Sequence, residues 1–128
     1  MRYGHIIGGL IVASALGLAG AGAAAAADAA NGKAIFNKIC HNCHSIDVGV
    51  NKAGPSLNGV VGRPAGTLKG YQYSEAMRNS GKTWTPEDLD VYLSSPRGAV
   101  HGVKMFFAGL GSATDRADVI AYLQAVQQ

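Results

Sequence analysis

Charge is scarce in this sequence. Only 15% of the 128 residues are Asp, Glu, Lys or Arg, and the formal net charge is +3. That excludes the dense basic face of a nucleic-acid-binding domain. Cysteine is scarcer, with two residues close together, so no framework of several disulfides is possible. Aromatic residues make up 7%, with a single tryptophan. No stretch alternates apolar and polar residues convincingly enough to read as a strand, which leaves an all-α fold class. No period of about 20–50 residues recurs, so a repeat architecture is excluded. What is plentiful is small or apolar: hydrophobic residues reach 48%, too many for a disordered chain, and there are 18 glycines. The length is that of one small domain.

The composition is uneven along the chain. Residues 1–27 hold one basic residue, Arg2, and no acidic one. A short start, Met1 to His5, precedes an apolar run from Ile6 to Leu18 and then an all-Ala/Gly stretch from Ala19 to Ala27. This is the order of a secretory signal peptide, with Ala25-Ala26-Ala27 as a small-residue cleavage zone ahead of Asp28. Several alanine registers fit, so the cut is expected within a few residues of Ala27. An uncleaved anchor is the alternative, since Ile6 to Ala27 is 22 residues long. Its second half is Ala and Gly, and no linker separates it from the next helical pattern. The expected division is therefore a signal peptide at 1–27 and one domain at 28–128, exported to an oxidising compartment. That domain has ten Lys/Arg, eight Asp/Glu and 12 glycines. Its large apolar residues are too few to make much core alone, which implies that something else supplies it.

Asp28 to His41 reads as a helix, with Asp28 as cap and Gly32, Phe36 and Ile39 at spacings of four and three. From Ser45 to Tyr73 no helical period survives, and Gly49, Gly54-Pro55, Gly59, Gly62, Pro64, Gly66 and Gly70 punctuate the chain. Loops of that length are uncommon unless they wrap something. Ser74 to Ser80 predicts a two-turn helix. Thr85-Pro86-Glu87-Asp88 is a strong start, with a capping hydroxyl, proline at the first position and acids at the positive end of the dipole. That helix should end near Ser94, before Pro96. Residues 96–111 are expected as a second loop. Ser112 caps a last helix, with Val119, Tyr122, Leu123 and Val126 on one face.

Cys40-His41-Asn42-Cys43-His44 is a C-x-x-C-H sequence, the attachment signature of a c-type haem. At a helix end, positions three apart share a face, so two thiols there can each add to one vinyl group of a porphyrin. The next residue, His44, lies on the same face and can reach the iron as proximal ligand. Three plainer readings compete. A thiol–disulfide pair usually follows a strand in a βαβ setting, which is absent. A zinc site would need four ligands within five residues. A simple disulfide over so short a loop is strained. For the far side of an iron, the candidates are Met77, His101 and Met105. A lone Met is more often core than ligand. Met105, however, stands in a Gly-bounded loop, Gly102 to Gly109, whose thioether can close over an open haem face.

Beyond that motif, the chain resembles class I cytochrome c of the small mitochondrial and bacterial type, from about Gly32 to Leu123. The resemblance is carried by Gly32-Lys33-Ala34-Ile35-Phe36, Cys40 to His44, Gly54-Pro55-Ser56-Leu57-Asn58-Gly59, and Gly62-Arg63. It continues in Gly70-Tyr71-Gln72-Tyr73-Ser74, Gly81-Lys82-Thr83-Trp84, Lys104 to Gly109, and Ile120-Ala121-Tyr122-Leu123. It implies a small fold whose first and last helices cross and whose long loops wrap one haem c, bonded to Cys40 and Cys43. It implies His44 and Met105 as axial ligands, with the Pro55 carbonyl accepting the His44 ring N–H. Tyr92 would direct its hydroxyl to the Met105 sulfur, although a core aromatic explains it equally. Arg63, Tyr73 and Trp84 would bind a buried propionate. Gly32 and Phe36 would meet Val119 and Tyr122, and Phe107 would lie near the exposed haem edge. Met77, His101 and Val103 depart from the common pattern around the haem. Gly98, Gly111 and Ser112 stand where mitochondrial forms have lysines, which thins the positive ring that steers partners.

The function this implies is a monomeric periplasmic one-electron carrier, without enzymatic activity. Its partners would be donor and acceptor redox proteins, membrane complexes among them, with no nucleic acid. The alternative in the same class is a dedicated electron acceptor or subunit of one periplasmic dehydrogenase or reductase. A peroxidase-like haem with a vacant distal side, and His101 as base, would require Met105 to leave the iron free.

Overall fold

The computed structural model describes Gly4 and residues 25–127, so the expected leader at 1–27 lies almost wholly outside the described residues. Asp28 opens the first helix as anticipated. Its carboxylate accepts from the amides of Ala30 at 2.9 Å and Asn31 at 3.2 Å, two of the donors a helix start leaves unpaired. Helix α1 runs Ala29–Ile35. The single α-helix expected as far as His41 is not what forms. From Phe36 to Cys40 the coil widens into a π turn, in which His41 N–H reaches back five residues to the Phe36 carbonyl at 2.9 Å. The wider turn adds a residue and so rotates everything after it, including the two cysteines, relative to a plain α-helix.

Helix α2 covers Glu75–Arg78, one turn rather than the two expected, with Ser74 Oγ accepting from Met77 N–H at 3.1 Å. Helix α3 is Pro86–Ser94, capped by Thr85 with proline in its first turn. The stretch expected as an open loop at 96–111 instead begins with a short helix, α4, at Pro96–Ala99. Pro96 ends α3 because it cannot continue the ladder, but its fixed φ also suits the first position of a new turn. Helix α5 spans Ala113–Ala125, with Ser112 Oγ accepting from Asp115 N–H at 3.1 Å. Among the described residues no strand forms; Pro64 and Thr83 make one isolated antiparallel bridge. No described helix is long and apolar enough to cross a membrane.

Helices α1 and α5 cross, and the crossing depends on Gly32. A Cβ there would lie 1.9 Å from the Asp118 carbonyl oxygen, so only glycine lets the backbones approach this closely. The contact is completed by Phe36 against Tyr122, ring centroids 5.5 Å apart. Phe36 and Val119, each 1% exposed, sit at the centre of the core. Around them pack Ile120, Leu123, Leu89, Tyr92 and Trp84, with Met77, Val100 and Leu110 completing the cluster. The long loop is held by its own polar side chains. Asn58 donates to the carbonyls of Ile46 at 3.0 Å and Val126 at 2.9 Å, tying the loop to the end of α5. Ser56, 1% exposed, donates to the Asp47 carbonyl at 2.7 Å.

Candidate haem site

The C-x-x-C-H segment leaves the π turn as a tight coil. The Cys40 carbonyl accepts from Cys43 N–H at 3.1 Å and His44 N–H at 2.9 Å, so one carbonyl gathers both thiols and the imidazole on a single turn. The cysteines are unpaired; Cys40 is half-buried and Cys43 exposed. Burial, helped by the neighbouring Cys43, pushes the Cys40 thiol up to about 11.

His44 is seated on two consecutive residues. Its Nδ1 lies 2.8 Å from the Pro55 carbonyl oxygen. A carbonyl can only accept, so Nδ1 carries the hydrogen and donates it. In the neutral ring the lone pair then lies on Nε2. Burial lowers the His44 pKa, and the Lys52 ammonium adds to this, against the Pro55 contact, which raises it. Neutral imidazole is the form a metal requires. The ring lies on bare backbone: a Cβ on Gly54 would come within 2.3 Å of its Cε1. Gly54 is in turn fixed by its N–H to the Cys43 carbonyl at 2.7 Å. The cradle is thus closed on itself, and it fixes both tautomer and orientation.

Of the three candidates for the opposite ligand, the structure buries Met77 in the core at 7% exposure. His101 is exposed. Met105 is half-buried against the core cluster, in an irregular segment at 103–111. That segment is anchored at both ends. Val103 N–H reaches the Val100 carbonyl at 3.2 Å and Leu110 N–H the Leu93 carbonyl at 2.8 Å. Lys104 also donates to the Gln72 carbonyl, joining the Met105 segment to the long loop.

Arg63, Tyr73 and Trp84 come from distant parts of the chain and are drawn toward one another. Trp84 N–H bonds the Arg63 carbonyl at 3.0 Å. Burial lowers the Arg63 guanidinium and raises the Tyr73 phenol, and each is partly offset by the other. Arg63 spends two N–H groups on the carbonyls of Ser56 at 3.0 Å and Asn58 at 3.2 Å, leaving three for another acceptor. Tyr92 packs its ring on Trp84, centroids 4.7 Å apart, as the core-aromatic reading has it. Burial pushes its hydroxyl up to about 12. Among the described residues that hydroxyl makes no hydrogen bond to Met105.

Several supporting residues were not singled out from the sequence. Tyr71 donates to the Ala53 carbonyl at 2.8 Å, next to the His44 seat. Lys52 donates to the His41 carbonyl and braces the same turn. Asp118, on α5, accepts from Asp28 N–H at 2.7 Å and from the Asn31 carboxamide at 2.8 Å. A polar residue between apolar periodic positions, as Asp118 is, was the available signal.

The donor set therefore fits a covalently held haem: two adjacent free thiols, a neutral imidazole with its lone pair unengaged, and a thioether on an anchored loop. Comparisons with known proteins agree. The cytochrome c family model matches residues 29–127. The chain is 54% identical over 99 residues to the cytochrome c-type cyt cy of Rhodobacter capsulatus, covering 77% of this chain and 49% of that one. It thus spans about half the length of that relative. It is 48% identical over 102 residues to cytochrome c2 of Blastochloris viridis, covering 79% of this chain and 80% of that one. The solved structure of cytochrome cH from Methylobacterium extorquens superposes with a TM-score of 0.72 at 41% identity, covering 77% of this chain and 98% of that one. The chain belongs to the cytochrome c family, electron-transfer proteins rather than enzymes, and carries one haem c bonded through Cys40 and Cys43.

Proposed function

We propose that this protein is an exported, monomeric one-electron carrier whose haem iron is ligated by His44 and Met105. Residues 1–27 serve as its signal peptide, and the domain at 28–128 works in the periplasm. It moves electrons between membrane redox complexes of a respiratory or photosynthetic chain. The observation that carries the reading is the His44 seat: Nδ1–H on Pro55 and the ring against Gly54, with Nε2 left to bind.

The bound group supplies an iron that alternates between ferric and ferrous and so holds one electron. The rest is done by the chain. Cys40 and Cys43 tether the group, so it is retained in both oxidation states. Pro55 holds the imidazole in one orientation, which limits the rearrangement that accompanies transfer. Met105 would supply its thioether to the iron, would favour the reduced state relative to a second imidazole, and would leave no position for a substrate. Arg63, Tyr73 and Trp84 would offer N–H and O–H donors to a propionate, with Tyr92 packed against Trp84. The exposed large apolar residues Ile39, Val48, Val50, Val91 and Phe106 fall on four separate stretches of chain.

The ligand pair is tested by spectroscopy and potentiometry on the purified holoprotein. The ferric form should be low-spin with a weak far-red sulfur-to-iron band. Met105→Ala should remove that band and lower the potential markedly, whereas Met77→Ala should leave both nearly unchanged. Loss of the band in Met77→Ala instead would overturn the ligand assignment.

A further inference from the structure

The Asp118 carboxylate is an oddity of the fold. It is 4% exposed, yet among the described residues no Lys, Arg or His nitrogen lies within ion-pairing distance. Arg116, on the same helix, is committed to Asp90 at 2.7 Å. Two hydrogen bonds stand in for a counter-ion at Asp118 and favour its ionised form. What Asp118 does hold is the backbone nitrogen of Asp28 at 2.7 Å, with the Asn31 carboxamide on its other oxygen at 2.8 Å. Immediately before Asp28, residues 25–27 are exposed and irregular, and all are alanine.

We infer that Asp118 is the receptor for the mature amino terminus, and that the leader is cut between Ala27 and Asp28. The inference rests on the reading of residues 1–27 as a cleaved signal peptide. A signal peptidase hydrolyses the Ala27–Asp28 bond with one water. The new carboxylate departs on Ala27, and the new amine on Asp28 takes up a proton. The nitrogen that donated one neutral hydrogen bond to Asp118 thereby becomes an ammonium in the same place. The ionised carboxylate, already held by hydrogen bonds, gains a counter-charge at 2.7 Å, and hydrogen bonds to charged groups are the stronger kind. An ammonium at a helix start is opposed by the helix dipole. Here two carboxylates offset that: Asp118, 2.7 Å from the nitrogen, and the residue's own side chain, which caps α1. A cut one or two residues earlier would leave an ordinary amide on Asp118 and place the ammonium in solvent. Processing at this one bond therefore locks α1 onto α5, the pair whose crossing organises the fold.

Two measurements on the exported holoprotein test this. Intact mass with amino-terminal sequencing should find a chain starting at Asp28. A start at Ala26 or Ala27 overturns the inference while leaving the signal peptide in place. A start at Met1 removes the signal-peptide reading and the inference together. The second measurement is acylation of the α-amine at neutral pH, followed on the amino-terminal peptide. The wild-type amine should react at least tenfold more slowly than that of Asp118→Asn, and its half-maximal labelling should move above the pH of about 8 usual for an α-amine. Equal rates and midpoints overturn the inference. If Asp118→Asn does not load haem, the native wild type is compared with the same protein unfolded in urea. An unshifted labelling midpoint in the native state is then the overturning result.

Discussion

Gly54→Ala is the sharpest available test of the His44 seat. The added carbon would lie 2.3 Å from Cε1, 2.7 Å from Nδ1 and 2.8 Å from Nε2 of the imidazole. Ordinary contact begins at 3.4 Å, so the ring must withdraw by about 1 Å. The carbon is nearly equidistant from these three atoms, so it stands over the ring face, and the ring withdraws along its normal. The in-plane 2.8 Å bond from Nδ1 to Pro55 then lengthens only to about 3.0 Å but is bent out of the ring plane, which weakens it. Two effects follow. The overpacked ring and its bent hydrogen bond together cost about 1–3 kcal/mol of stability. The imidazole also becomes a weaker electron donor, which disfavours the ferric state. If the bending takes about 0.5 kcal/mol from the oxidised form, the potential rises by about 20 mV. The assay is a spectroelectrochemical titration of wild type and variant, paired with denaturant unfolding of both. Unchanged potential and unchanged midpoint would refute the seat, because the carbon cannot be accommodated with the ring where it is.

Three further outcomes are expected. Gly32→Ala places a carbon 1.9 Å from the Asp118 carbonyl oxygen, so α1 and α5 must separate. The overpacking should cost about 1–3 kcal/mol and lower the thermal midpoint by several degrees, read by circular dichroism. The hydrogen bond from Asn31 first, and that from Asp28 N–H second, hold the Asp118 carboxyl below its ordinary 3.8. Because the folded value is the lower one, its contribution is complete above pH of about 4 and is lost as pH falls through the folded value. Acid unfolding of Asp118→Asn should accordingly be less steep over that range. Finally, the chain expressed without haem should lose most of its helical circular dichroism, since the covalent group supplies core that the long loops lack. A compact, protease-resistant chain without haem would refute this.

What the sequence by itself determined is whatever is encoded within a few residues. Asp28, Ser74, Thr85 and Ser112 each cap a helix by a bond to an amide two or three residues away. Such signals depend on no distant partner, which is why the helix starts were legible. Cys40, Cys43 and His44 share one turn and were legible for the same reason. Gly32 and Phe36 facing α5 followed from the family resemblance. The ends of elements were less legible. Pro96 was read as a stop and is also a start, and Phe36–Cys40 carries no local mark of a π turn. Only the tertiary structure decided the long-range bonds: Asp28 with Asp118 across 90 residues, Asn58 with Val126 across 68, Tyr92 against Trp84. Tertiary structure also separated Met77, in the core, from Met105, on the anchored loop. A buried carboxylate or thioether is defined by what surrounds it, and those surroundings come from residues far away in the chain.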